Sequence, residues 1–134
     1  MKSGTRPQNS ISILFVEDDE MILELQSSIL SVKFPEVMLY SATNGKSGLE
    51  LFMSYSPDIV ITDINMSGMC GVQMAHDILK FKPDTWFIAI TGYSEELVKQ
   101  DISNNNFKFD HIIIKPVSLI ELFSVVEQCI AVTK

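Results

Sequence analysis

Ile11-Ser12-Ile13-Leu14-Phe15-Val16 passes without a break into Glu17-Asp18-Asp19. An apolar run this short and continuous suits a strand buried on both faces, the habit of parallel sheets. The same punctuation recurs along the chain. Ile59-Val60-Ile61-Thr62 ends at Asp63, Trp86-Phe87-Ile88-Ala89-Ile90 at Thr91, and Ile112-Ile113-Ile114 at Lys115-Pro116. As parallel strands these runs would bring their closing polar residues to one edge, where open α/β sheets bind ligands. Carboxylates, a hydroxyl and an ammonium would meet there. A divalent metal and a phosphoryl group would satisfy them together.

The segments between the runs carry helical signals. Ile22, Leu25, Ile29 and Val32 recur at spacings of three and four, which predicts a helix over 20–32 with that stripe buried; Phe34-Pro35 ends it. A strand over 37–42 leads to Asn44-Gly45, with Asn44 as the expected helix cap. Leu49, Phe52 and Tyr55 form the inner face of the helix that follows, until Ser56-Pro57 stops it. The third strand spans 58–63. An irregular segment with Gly68 and Gly71 precedes a helix over 72–81 that buries Val72, Ala75, Ile78 and Leu79. Lys82-Pro83-Asp84 is a turn, and a strand over 86–90 follows.

A fourth helix starts near Ser94, with Glu95 and Glu96 at the positive end of its dipole and a weaker inner face of Leu97 and Val98. After a strand over 111–114, Ser118 and Glu121 form a capping box for the last helix, which buries Leu119, Leu122, Val126 and Cys129. Five strands alternating with five helices predict an α/β, three-layer, doubly wound fold around a five-stranded parallel sheet.

A chain of 134 residues, 46% of them hydrophobic, suits one domain with a real core. Residues 1–10 are polar and read as a flexible N-terminal tail, leaving 11–134 as the domain. The net charge of -7 and pI near 4.7 disfavour direct binding to nucleic acid or an anionic membrane. No apolar run reaches the ~20 residues of a membrane span. Cys70 and Cys129 form no close-spaced metal or redox motif, and are expected to be reduced thiols of a cytoplasmic protein.

Carboxylates crowded at one sheet edge repel. At ~4 Å and an effective dielectric near 20, each like-charge pair costs about 4 kcal/mol. Protonation or a bound divalent cation relieves this, and Mg²⁺ takes such oxygen ligands. The bland alternative is that Glu17-Asp18-Asp19 only caps and charges the first helix; Asp63 at a second strand end weighs against it. Asp63 is placed to act as a nucleophile on phosphorus, forming an acyl phosphate. Metal on one side and Lys115 on the other would neutralise the charge, and Thr91 would hydrogen-bond a transferred oxygen.

Val16-Glu17-Asp18-Asp19, Asp63, Thr91-Gly92 and Lys115-Pro116, in this order and at these separations, resemble the receiver domain of bacterial two-component response regulators, across essentially 10–134. The resemblance implies a flavodoxin-like fold with strand order 2-1-3-4-5 and Asp63 as the phosphoacceptor. It implies Mg²⁺ held by Asp18 directly, by Glu17 mainly through water, by Asp63, and by the Asn65 main-chain carbonyl. Asp19 falls to the helix start. Thr91 would be the switch hydroxyl and Lys115 the phosphoryl-binding ammonium. The implied donor is a phosphohistidine on a sensor histidine kinase or histidine phosphotransfer protein. A downstream effector would read the face of the fourth helix, fifth strand and last helix. Such a domain is a signalling switch rather than an enzyme, and neither His76 nor His111 lies in a phosphotransfer motif.

The chain departs from the family pattern at Ser67, where Pro is common, and at Cys70, where Asp or Asn is usual. Ile112 stands where many receivers carry Tyr or Phe, which removes a ring-coupled readout because isoleucine is smaller and stiff at χ1. Tyr93, two residues past Thr91, is expected to shield the acyl phosphate from water, and Trp86 to report on the site by its fluorescence. Two other aspartate or phosphate chemistries fit less well. A haloacid dehalogenase-like phosphatase places a second Asp two residues after the nucleophile, where this chain has Asn65. A flavodoxin-type FMN module needs a hydroxyl- and glycine-rich loop where this chain has carboxylates.

Overall fold

The computed structural model describes residues 10–64, 66, 71–92 and 109–133. The side chain of Val72 and the predicted helix from Ser94 lie outside the described residues. Strands β1 (Ser12–Val16), β2 (Met38–Ala42), β3 (Ile59–Asp63), β4 (Trp86–Thr91) and β5 (His111–Ile114) alternate with helices α1 (Glu20–Lys33), α2 (Gly45–Tyr55) and α3 (Gly71–Phe81), and α4 (Leu119–Thr133) closes the chain. The strands form one sheet in the order β2-β1-β3-β4-β5, with every pair parallel.

Strand alternation sorts the core into two halves. Leu14, Val16, Val60, Phe87 and Ala89 meet Phe52 of α2 and Met74, Ala75 and Ile78 of α3. Ile13, Phe15, Ile61, Ile88 and Ile113 meet Leu23 and Leu30 of α1 and Leu122, Val126 and Cys129 of α4. Both faces are thus covered, as continuously apolar strands require. Burial pushes the Cys129 thiol up to about 11, with the Asp110 charge adding to it, so this cysteine is an inert core residue.

Three helix faces differ from expectation. In α1 the residues turned to the sheet are Leu23 and Leu30, whereas Leu25 is 62% and Val32 83% exposed, and Ile22 also faces solvent. The helix carries two apolar arcs, and spacing alone does not say which one the β1–α1–β2 crossover presses inward. In α2, Phe52 is buried but Tyr55 is exposed, its ring stacked on Tyr40 at 4.5 Å. Leu119 is 39% exposed at the start of α4, whereas Val125 packs inward.

At the amino edge of the sheet, two aspartates pin strand starts in the same way. The Ser12 amide donates to Asp58 Oδ2 at 3.0 Å while the Asp58 amide donates to the Ser12 carbonyl at 3.0 Å. The Phe87 amide donates to Asp110 Oδ2 at 2.7 Å, and the Asp110 amide returns to the Phe87 carbonyl at 3.0 Å. Removing the acceptor strands a partly buried N–H. Asp110→Ala is therefore expected to lower unfolding free energy by about 1–3 kcal/mol, and Asp110→Asn by less, because its amide oxygen still accepts. Denaturant melts check this; equal melts for Asp110→Ala and the parent would contradict it.

Candidate functional site

The opposite, carboxyl edge gathers the polar strand ends. Val16 pairs with Thr62, so Glu17 follows beside Asp63; Asp63 pairs with Ile90, and Thr91 with Ile114. The ladder runs past the strands: the Glu17 amide donates to the Ala42 carbonyl at 3.1 Å, Ile64 to Ile90 at 3.1 Å, and Lys115 to Thr91 at 2.7 Å. The backbones beneath the functional side chains are therefore fixed.

Asp19 starts α1 as its N-cap, its Oδ1 accepting the Met21 amide at 3.0 Å and the Ile22 amide at 3.1 Å. Its own amide donates to Glu17 Oε2 at 3.1 Å. Asp19 thus belongs to the helix start, as expected, and its backbone orients the neighbouring carboxylate.

Carboxylate oxygens of Glu17, Asp18 and Asp63 lie within 4.8 Å of one another. Glu17 and Asp63 are buried and Asp18 is exposed, so the cluster reaches solvent through Asp18. Lys115 Nζ contacts Asp63 Oδ2 at 2.6 Å, its side chain 37% exposed against 3% for Asp63. Burial raises the Glu17 carboxyl to about 7; the Asp19 amide opposes this, and the charge of Asp63 adds to it. Burial pulls Lys115 down, but the hydrogen bond and charge of Asp63 outweigh it and leave the ammonium raised. A cation bound beside Glu17 would favour its charged form against that burial. Hard carboxylate oxygens in this number suit Mg²⁺.

Sequence reading placed Glu17, Asp18, Asp63 and Lys115 together, and they do converge. Thr91 is fully buried at the end of β4, joined to Lys115 through the backbone. Asn65, Ser67, Cys70 and Tyr93 lie outside the described residues. Ile112 is half-buried against the core that holds Phe87 and Ala89. Trp86 pairs with Ile59 at the far end of β4, about 17 Å along the strand from Thr91 at the usual rise. It therefore stands too far off to sense the pocket directly, and mass or NMR is the better readout.

Two residues of the site were not singled out in the sequence. Thr62 hydrogen-bonds the Asp63 carbonyl at 2.9 Å. Gly71 opens α3 so close to the end of β3 that a Cβ would lie 2.7 Å from both the Asp63 oxygen and Ile64 Cα. No side-chain pattern announces either; each follows from a tertiary approach.

The family described as response regulator receiver domain matches residues 13–127. Among curated relatives, the uncharacterized transcriptional regulatory protein YesN of Bacillus subtilis is 28% identical over 91% of this chain and 33% of its own length. Regulatory protein AtoC of Escherichia coli is 29% identical over 88% of this chain and 25% of its own. The chain thus spans well under half the length of these relatives. Among solved structures, the N-terminal domain of an uncharacterized protein from Wolinella succinogenes superposes with TM-score 0.79 at 31% identity, covering 92% of this chain and 97% of that one. Response regulator protein TrrA from Thermotoga maritima, in complex with Mg²⁺ and BeF, gives 0.76 at 30% identity, covering 89% and 98%.

Proposed function

The chain belongs to the response regulator receiver domain family, and from that premise we propose that it is a Mg²⁺-dependent phosphorylation switch with Asp63 as acceptor and residues 11–134 as the working unit. The observation that carries the reading is Lys115 Nζ at 2.6 Å from Asp63 Oδ2, beside carboxylate oxygens gathered within 4.8 Å. Phosphoryl transfer depends on positioning and charge neutralisation more than on covalent help, and this pocket supplies both.

An Asp63 carboxylate oxygen attacks the phosphorus of a phosphohistidine on a sensor kinase or phosphotransfer partner. A P–O bond forms, the P–N bond breaks, and its electron pair stays on the imidazole. Glu17, Asp18, Asp63 and the Asn65 carbonyl would hold Mg²⁺, which, when bound, offsets the negative charge of the phosphoryl oxygens. Lys115 meets those oxygens from the other side, and the Thr91 hydroxyl moves to them once they arrive. Asp18, exposed, leaves the pocket open to the donor.

The new contacts bias a two-state element that alters effector binding at the face of β5 and α4. The chain acts as a switch in the cytoplasm and turns over no outside substrate. None of the described helices is long and apolar enough to cross a membrane. Beryllofluoride with Mg²⁺ tests the reading: it should occupy Asp63 and shift the Thr91 and Lys115 amide resonances. Resonances unmoved at excess reagent would contradict it.

The raised Glu17 carboxyl gives a pH signature. With a folded pKa of about 7 against an ordinary 4.5, the folded protein binds more protons than the unfolded chain between those values. Its contribution to stability therefore falls as pH rises through that window. Mg²⁺ competes with this proton. The thermal midpoint gained on adding MgCl₂ should accordingly be larger at pH 8 than at pH 5.5, and thermal melts at the two values check it. An equal gain at both would contradict the assignment of Glu17 to the metal.

A further inference from the structure

We propose that Thr62 is a positioning residue for phosphoryl acceptance, acting through the backbone of Asp63; the inference rests on the reading of Asp63 as acceptor. Thr62 is fully buried, with Val16 and Ala89 as its neighbours across the sheet. Valine would fill this place without burying a hydroxyl, which is unfavourable unless hydrogen-bonded. The hydroxyl is used locally: Oγ1 lies 2.9 Å from the Asp63 carbonyl oxygen. Thr62 must be the donor there, because a carbonyl only accepts.

The other polar end of the same peptide is held too, since the Ile64 amide donates to the Ile90 carbonyl at 3.1 Å. Gly71 closes on a third side, where even a Cβ would come within 2.7 Å of the Asp63 oxygen and Ile64 Cα. A planar peptide fixed at both ends leaves little freedom in the ψ angle of Asp63. That angle helps set the direction in which the Asp63 carboxylate projects toward Lys115. Alternation along β3 turns the Thr62 side chain to the opposite face from that of Asp63, so Thr62 does not touch the phosphoryl group. Reacting atoms must approach to about 3–3.5 Å in line, and small misplacements are expensive in rate.

The test compares Thr62→Val and Thr62→Ser with the parent protein. Thr62→Val should slow phosphoryl uptake from acetyl phosphate about tenfold at saturating Mg²⁺ and shift the Ile64 amide resonance in metal-free protein. Thr62→Ser keeps the hydroxyl and should restore both to nearly the parent values. Thr62→Val reacting at the parent rate would overturn the proposal. Equal slowing in both variants would also overturn it, by assigning the effect to packing rather than the hydroxyl. If the parent itself takes up no phosphoryl group, the acceptor reading fails instead. The Ile64 amide shift then decides alone whether Thr62 holds the peptide.

Discussion

Asp63→Asn is expected to abolish phosphoryl uptake, with the rate from acetyl phosphate falling by about three orders of magnitude or more. Asparagine keeps the shape of the side chain but presents a neutral amide, which is no nucleophile toward phosphorus at neutral pH. The variant also tests the electrostatics. Asp63 helps to raise the Glu17 carboxyl to about 7 and, by hydrogen bond and charge, raises Lys115. Removing its charge should lower both, which NMR titration reads directly. Intact mass after exposure to acetyl phosphate and Mg²⁺ gives the main result. Uptake that persists in the variant would contradict the assignment of the acceptor.

The second large effect is expected from Gly71→Ala. The added methyl would lie 2.7 Å from the Asp63 carbonyl oxygen and from Ile64 Cα, and neither is the loose end of a side chain. Either α3 or the end of β3 must shift. Overpacking of this kind costs about 1–3 kcal/mol of stability, and here the displaced backbone is that of Asp63, the proposed acceptor. Loss of phosphoryl uptake should therefore accompany the loss of stability. Gly92→Ala is the control, since among the described residues nothing lies within 4 Å of a Cβ built there. Chemical denaturation of both variants, with uptake measured beside it, checks the contrast. Gly71→Ala as stable and reactive as Gly92→Ala would contradict the close approach.

The layered fold was legible because its signals are local. Continuous apolar runs marked strands buried on both faces, and breakers such as Phe34-Pro35 and Ser56-Pro57 marked the helix ends. Asn44 caps α2 as expected, its Oδ1 accepting the Ser47 amide at 2.7 Å. The convergence of Glu17, Asp18, Asp63 and Lys115 was legible for a related reason: once the strands are parallel and in order, their carboxyl ends must share an edge.

What escaped the sequence depends on orientation and close approach. The periodicity of α1 found an apolar arc, but the sheet takes Leu23 and Leu30 and leaves Met21, Leu25 and Val32 outward. Met74, fully buried, was missed beside Ala75 and Ile78, and its sulfur would meet a Cβ at Gly48 at 2.9 Å. Thr62 read as the last residue of an apolar run, although its hydroxyl hydrogen-bonds the Asp63 carbonyl. Such roles are set by a partner distant in sequence or by a hydrogen bond that residue type alone does not predict.

Borohydride trapping tests the central claim most directly. Reduction after exposure to acetyl phosphate and Mg²⁺ converts an aspartyl phosphate to homoserine, and peptide mass spectrometry locates the changed residue. Homoserine at position 63 alone, and none when the metal is chelated, is the expected result. Modification at another acid, or at position 63 regardless of metal, would contradict a single cation-dependent pocket built around Asp63.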